Sequence, residues 1–360
     1  MKRIQTLRNA MTTAGIDGLL VASMSNIRYL SGFASDEWDV ALLFVSHTCQ
    51  LLLTDYRFAE QAREECRNTE VIVRDRTRQT LGQLVRQLAI DCDLSNLGFE
   101  RDHFLHGRWL DLSSELAGVQ CTPVHGMVEQ LRRIKDEGEL ANIRRAASIG
   151  DNAFEQLLGY IRPGITEKAA AAQLEYTLKS AGAESLAFPT IFTSGPRTAR
   201  PHGMPSDRLL TRGDLITVDF GAVVDGYRSD MTRSFVLGTA DRKQREVYHL
   251  VKGAQALGVA SVRAGIPCSA PYQMVAEYLS RSPYAAYVGE GLGHCLGLDT
   301  HEQPYLAAGG MDLLQENYVL TVEPGIYIPG WGGVRIEDDV RVTETGADLL
   351  THSNRELIEL

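Results

Sequence analysis

Five short stretches in the second half of this 360-residue chain, the first two joined by one turn, read as buried β-structure. Each carries an acid or a histidine that an apolar interior cannot hold without a partner. In Val218-Asp219-Phe220-Gly221-Ala222, Asp219 interrupts an apolar strand, and Ser229-Asp230-Met231-Thr232-Arg233 places a second Asp at a strand start. Asp225-Gly226-Tyr227 between them fits a hairpin turn, so the strands fold back and bring Asp219 and Asp230 together. Gly291-Leu292-Gly293-His294 sets a histidine among glycines, which permit close backbone approach to a site. Leu320-Thr321-Val322-Glu323-Pro324-Gly325 is again an apolar strand ending in one acid and a turn, and in Gly333-Val334-Arg335-Ile336-Glu337 the acid alternates along a strand. Taken singly, an acid at a strand end is a solvated or capping residue and a lone histidine a structural one. Taken together, two Asp, two Glu and one His form an oxygen-rich set with one nitrogen. Such a set suits two hard divalent cations bridged by carboxylates, such as Mn²⁺, better than a thiolate-rich zinc site. Buried carboxylates left unpaired repel one another and stay protonated; a cation removes that penalty.

Length and composition set the frame. At ~100–200 residues per domain, 360 residues favour two domains. With 44% hydrophobic and 23% charged residues, the chain is neither disordered nor fibrous. No apolar run approaches the ~20 residues of a membrane span. The opening Met1-Lys2-Arg3-Ile4-Gln5 leads into a polar amphipathic stretch without a secretory signal, so the expected location is cytoplasmic. Lys and Arg number 36 against 46 Asp and Glu, a net charge of −10 with no basic patch, which argues against a nucleic-acid partner. The scattered cysteines, with no CxxC pair, are expected to be reduced.

Residues 1–125 alternate helix and strand: an amphipathic helix over 2–14, a strand at 19–21, a hairpin of 41–45 with 51–53, helices near 57–66 and 79–90, and strands at 71–73 and 97–100. The charged stretch from Arg132 to Glu139 marks a boundary. Beyond it, a long helix through Ile161 stops at Pro163-Gly164, Thr166 caps a second helix through Leu178, and helices are expected at 241–263 and 269–281. Strands are expected at 215–222, 232–237, 319–323 and 334–342. The reading is α+β, with domains at 1–125 and 126–360.

The ordered set Asp219, Asp230, His294, Glu323, Glu337, with its surrounding words, resembles the M24 "pita-bread" metallopeptidases, and the stretch from Arg132 to Ile143 resembles the helix that opens their catalytic domain. The family includes methionine aminopeptidase, Xaa-Pro aminopeptidase, Xaa-Pro dipeptidase (prolidase) and creatinase. Residues 1–125 are similar to the creatinase/prolidase N-terminal domain, which points to the proline-directed branch. The resemblance implies a C-terminal pita-bread catalytic domain, a homodimer, and small peptide substrates with proline at the second position. It also implies two divalent ions, most simply Mn²⁺ with Co²⁺ or Zn²⁺ as alternatives. Asp219 would bridge or chelate one ion, Asp230 and Glu337 would bridge both, and His294 and Glu323 would bind the other. A hydroxide held between them would attack the scissile carbonyl. Glu323 would also shuttle the proton to the leaving nitrogen, His301 would polarise the carbonyl, and His202 would hold substrate near the leaving group. Arg335 would orient a carboxylate or Tyr227, which joins the substrate-binding set.

Two positions depart from the family pattern. Cys295 stands where glycine usually follows the metal-binding histidine, placing a thiol beside a ligand. Tyr305 stands where some members carry an Arg after the His-Glu-Xaa-Pro word, which leaves Arg197, Arg200 or Arg335 to meet a dipeptide carboxylate. Ser35-Asp36-Glu37-Trp38-Asp39 reads equally as a gate over a neighbouring subunit's site and as a solvated turn. Dipeptidase and aminopeptidase readings stay open. A metal-free creatinase-like amidinohydrolase and a non-catalytic binding module fit a complete ligand set less well.

Overall fold

The computed structural model describes residues 2–360. It divides into two compact units, Met1–Arg132 and Arg133–Leu360. The first contains α1 (Lys2–Ala14), β1 (Gly18–Val21), α2 (Met24–Ser31), β2 (Leu42–Ser46), β3 (Gln50–Asp55), α3 (Ala59–Glu65), β4 (Glu70–Arg74), α4 (Leu81–Asp91), β5 (Asn96–Glu100), α5 (His106–Ser114), β6 (Gln120–Val124) and α6 (Glu129–Arg132). Its sheet runs β4-β3-β2-β1-β5-β6, with β2 antiparallel to both β3 and β1 at the centre and the parallel pairs β3–β4, β1–β5 and β5–β6 outside them. Leu20, Phe44, Val85, Leu88 and Leu97 are among the side chains of its core.

The division falls after residue 132, later than the expected 125, because α6 is tied into the first unit. Asn26 Nδ2 donates to Glu129 at 2.7 Å, Arg132 Nη1 donates to Asn26 Oδ1 at 2.7 Å, and Tyr29 Oη donates to the Leu131 carbonyl at 3.1 Å. The same network explains why α2 is not legible from periodicity: Asn26 and Ser31 are buried alongside Ile27, Tyr29 and Leu30, so polar residues stand on the face that packs inward. Its ends are marked instead by the Ser23 cap and by Gly32 at φ 92°, a left-handed conformation that glycine adopts without a Cβ penalty.

The second unit begins with α7 (Glu137–Tyr160), whose N-terminus is closed by a reciprocal capping box between Asp136 and Glu139, and α8 (Glu167–Ser180), capped by Thr166. Strands β7 (Ile191–Ser194) and β8 (Leu215–Phe220), the small hairpin β9 (Val223–Val224) and β10 (Tyr227–Arg228), and β11 (Met231–Val236) follow. Then come α9 (Arg242–Ser261), α10 (Ser269–Ser280), β12 (Gly293–Cys295), β13 (Glu302–Leu306), β14 (Val319–Val322), β15 (Gly325–Ile328), β16 (Gly332–Arg335), β17 (Asp338–Val342) and β18 (Ala347–Leu349). One sheet is ordered β11-β8-β7 and a second β13-β12-β14-β17-β18, while β15 pairs with β16. Phe154, Leu157, Leu174, Phe220 and Phe235 form one apolar layer of α7, α8 and the first sheet. Tyr248, Val251, Val275, Leu320, Val322 and Val340 form another, of α9, α10 and the second sheet.

The expected single strand over 334–342 is broken. β16 pairs with β15, β17 pairs with β14 and β18, and Ile336-Glu337 bridges the two sheets. At that break the Glu337 N–H donates to the Thr232 carbonyl of β11 at 3.1 Å.

Candidate metal centre and active site

Each of the five expected ligands stands at the end of a strand or in a break of one. Asp219 lies on β8, opposite Thr232 of β11 and Ile191 of β7. Asp230 immediately precedes β11, delivered by the β9–β10 hairpin whose turn residues Asp225 and Gly226 both have positive φ (48° and 79°). Gly221 permits the crossing, since a Cβ there would collide with the Ser229 carbonyl. His294 lies on β12, Glu323 follows β14, and Glu337 occupies the β16–β17 break.

These side chains converge. One ligand atom each of Asp230, His294 and Glu337 lie within 4.8 Å of one another. His294 Nε2 is 3.4 Å from Glu323 Oε1 and 3.8 Å from Asp230 Oδ2. Arg335 Nη2 donates to Asp219 Oδ2 at 2.5 Å. Three of the acids are almost wholly buried: Asp219 is 7% exposed, Asp230 5% and Glu337 1%. Among the described residues, Asp219 Oδ1 and Asp230 Oδ1 are buried without a hydrogen-bond partner. Orphaned buried carboxylate oxygens are costly, and a cation is what satisfies several of them at once. Burial, with the charges of Glu337 and Asp219 added, pushes Asp230 well above the usual carboxylate range. Burial and the charges of Glu323 and Asp219 do the same to Glu337. Glu323 is pushed up to about 7 by burial, with Arg335 opposing and Asp219 reinforcing the rise. The donor set and its strain fit divalent metal.

Neighbouring groups aim the ligands. His294 Nδ1 faces the Cys295 carbonyl at 3.1 Å; a carbonyl only accepts, so the hydrogen is on Nδ1 and the Nε2 lone pair points to Asp230 and Glu323. Burial lowers its pKa, which favours that neutral form. Thr232 Oγ1 donates to Glu337 Oε2 at 2.6 Å and accepts from Arg335 Nε at 3.0 Å. Thr321 Oγ1 donates to Glu323 at 3.3 Å.

His301 is placed beside this centre. The His301 ring lies 4.3 Å from that of His294. Burial lowers the His301 pKa, and His294 and His202 act on it in the same direction. Tyr305 pairs with His294 across β12–β13 and meets its ring at 6.2 Å. The tyrosine at Arg335 is Tyr327, not Tyr227. Arg335 Nη1 donates to Tyr327 Oη at 2.8 Å, whereas Tyr227 donates to Glu139 Oε1 at 2.6 Å. Tyr327 is a site residue that the sequence reading missed. Nothing local in the chain marks it; in the fold its hydroxyl packs so close to Gly325 that a Cβ there would collide with it.

Cys295 points away from the centre. The β12–β13 register shifts between His294 and Cys295, and while His294 joins the metal cluster, Cys295 is 0% exposed in the apolar layer with Leu306 and Leu320. Burial pushes its thiol up to about 12, which keeps it unreactive. Peroxide is therefore expected to inactivate the native protein and Cys295→Ala at equal rates; faster loss in the native chain would restore an oxidation-sensitive role.

The fold and the centre together define a metallopeptidase, and the chain belongs to metallopeptidase family M24: residues 141–344 match that family, and residues 3–134 match the creatinase/prolidase N-terminal domain. It is 39% identical over 359 residues to the uncharacterized peptidase YqhT of Bacillus subtilis, spanning 99% of this chain and 100% of that one. Among solved structures it is similar to the Xaa-Pro dipeptidase from Bacillus anthracis (TM-score 0.95, 36% identity, 100% of this chain and 99% of that one). It is also similar to the X-Pro aminopeptidase from Thermotoga maritima (TM-score 0.92, 33% identity, 99% of each).

Proposed function

We propose that this chain is a metal-dependent exopeptidase that hydrolyses the N-terminal Xaa-Pro bond of small peptides, acting as an Xaa-Pro dipeptidase in the cytoplasm as a homodimer. The observation that carries the reading is the convergence of Asp230, His294 and Glu337 around carboxylate oxygens that have no other partner. Asp219, Asp230, His294, Glu323 and Glu337 would hold two divalent cations, Mn²⁺ being best matched to so many oxygens. Such a pair supplies a water acidified to about neutral pH and a Lewis acid for the scissile carbonyl. The remaining chemistry belongs to the chain. Glu323, beside His294, passes a proton toward the leaving proline nitrogen. His301, in ring contact with His294, donates to the carbonyl oxygen as charge develops on it. His202 holds the substrate near the leaving group, and Arg335 keeps the Asp219 carboxylate turned into the centre. An Xaa-Pro bond lacks the N–H that general peptidases grip, so a site shaped for the pyrrolidine ring serves a substrate they leave untouched.

One observation favours the aminopeptidase alternative. Of the three arginines able to meet a dipeptide carboxylate, Arg335 is tied to Asp219 and Arg197 to Glu167, while Arg200 alone is exposed. The deciding experiment compares Ala-Pro with an Ala-Pro-Yaa-Zaa tetrapeptide, with creatine as a control, before and after chelation. The expected result is a kcat/KM at least tenfold higher for Ala-Pro, no turnover of creatine, and loss of activity on chelation. A preference for the tetrapeptide would make it an aminopeptidase, and hydrolysis surviving full metal removal would eliminate both readings.

A further inference from the structure

Glu167 opens α8 and is 0% exposed, yet it belongs neither to the metal cluster nor to the groups that face substrate. Its two oxygens are saturated by one segment of chain. Oε1 accepts from the Ser194 N–H at 2.8 Å and the Ser194 hydroxyl at 2.7 Å. Oε2 accepts from the Ser206 N–H at 3.0 Å and the Ser206 hydroxyl at 2.6 Å. Arg197 Nε donates to both, at 3.3 and 3.0 Å. Ser194 and Ser206 bracket the segment that carries His202, a 3-10 turn over Gly195–Ala199 followed by irregular chain, so a single carboxylate closes the base of that loop. Arg197 ties it again by donating from Nη2 to the Met204 carbonyl at 2.6 Å. Near the tip, Arg335 Nη1 donates to the Pro201 carbonyl at 3.2 Å, linking the loop to the arginine that grips Asp219. His202 itself is exposed. An imidazole on an irregular loop takes its orientation from whatever fixes the loop's ends.

We propose that Glu167 is a positioning residue: by binding both ends of the 194–206 loop it sets the place of His202 against the substrate. The proposal rests on His202 acting as a substrate contact. Displacing a catalytic-site group by about 1 Å can cost up to ~10²-fold in rate, so loosening the base of the loop reaches the chemistry without touching it. A residue that merely fastens the fold would change thermal stability and leave the kinetics of the folded protein intact.

The test uses the metal-loaded full chain in four forms: native, Glu167→Gln, His202→Ala and the double variant. Glu167→Gln keeps the shape but replaces one accepting oxygen by an NH₂ that cannot accept. The expected result is a roughly tenfold loss of kcat/KM in Glu167→Gln and in His202→Ala, with the double variant within about threefold of His202→Ala alone. Amide hydrogen exchange over 195–205 should quicken in Glu167→Gln while the helices α7 and α9 exchange as before. Multiplying losses in the double variant, or native kinetics in Glu167→Gln, would overturn the positioning role. Native kinetics in His202→Ala would instead remove the reading of His202, and this proposal with it. Should Glu167→Gln fail to fold, Ser206→Ala removes one donor from the same carboxylate. A loss of about threefold with faster exchange over 195–205 supports the proposal, and native behaviour in both overturns it.

Discussion

Replacing Glu337 by Gln, or Asp230 by Asn, is expected to lower kcat by at least about 10³-fold while the protein stays folded. That corresponds to about 4 kcal/mol of transition-state stabilisation at ~1.4 kcal/mol per factor of ten. Both substitutions keep the side-chain volume, so neither opens a cavity. Both remove a negative charge from a place where burial and neighbouring carboxylates already disfavour charge. In the absence of metal, then, the variants should unfold at the same temperature as the native chain or above it, because one member of a repelling set has been neutralised. With metal they should gain less, since the carboxylate that would hold it is gone. Thr232 still has an oxygen to donate to in Glu337→Gln, so the local geometry survives. Steady-state kinetics alongside calorimetry checks both halves. Near-native kcat in either variant would contradict the assignment of these acids as metal ligands.

The second large effect is the dependence of metal stabilisation on pH. Glu323 has an ordinary pKa of 4.5 and about 7 in the fold, raised chiefly by burial. Between those values the folded chain keeps a proton that the unfolded chain has released. The associated stability is present below pH 4.5 and is lost as pH rises through 7. Asp230 and Glu337 are shifted in the same direction and extend the loss further up the pH scale. The chelated protein is therefore expected to melt at progressively lower temperature from pH 5 to pH 8. Added divalent cation takes the place of those protons, so it binds weakly at pH 5 and tightly at pH 8. At a concentration 100-fold above Kd, binding stabilises by about 2.7 kcal/mol, a rise in Tm of roughly 5–10 °C for a unit of this size. Thermal melts in Mn²⁺ and in chelator across this range measure it. A Tm indifferent to metal at pH 8, or a gain largest at pH 5, would dismiss the metal centre.

Local physics made much of the architecture legible. The long helices α7, α8, α9 and α10 declare themselves through apolar spacing and through caps such as Thr166, because both signals arise within one or two turns of chain. The candidate ligands Asp230, His294 and Glu337, which the fold brings together, stood out for a related reason: a charged or polar side chain on an apolar strand needs a partner wherever that strand is packed. Other features left no local trace. β7 is a four-residue strand, buried at every position, whose partner Asp219 lies far along the chain. Ile336-Glu337 continues the alternation of its neighbours, so nothing nearby reveals that β16 and β17 belong to different sheets. Tyr227 sits beside Asp230 in the chain and Tyr327 does not, yet it is Tyr327 that Arg335 reaches.

The kinds of side chain at the centre, their fit to divalent metal, and the two units that carry helix and strand were written in residue order alone. That order also carried the resemblance that named the family. Only the tertiary structure decided that Cys295 turns into the apolar layer, that Arg335 joins Asp219 to Tyr327, and that Glu167 gathers Ser194, Arg197 and Ser206 on one carboxylate. Composition and periodicity report which face of an element is apolar. Which groups meet across that face depends on strand register and on hydrogen bonds between residues remote in the chain, and these are settled by packing.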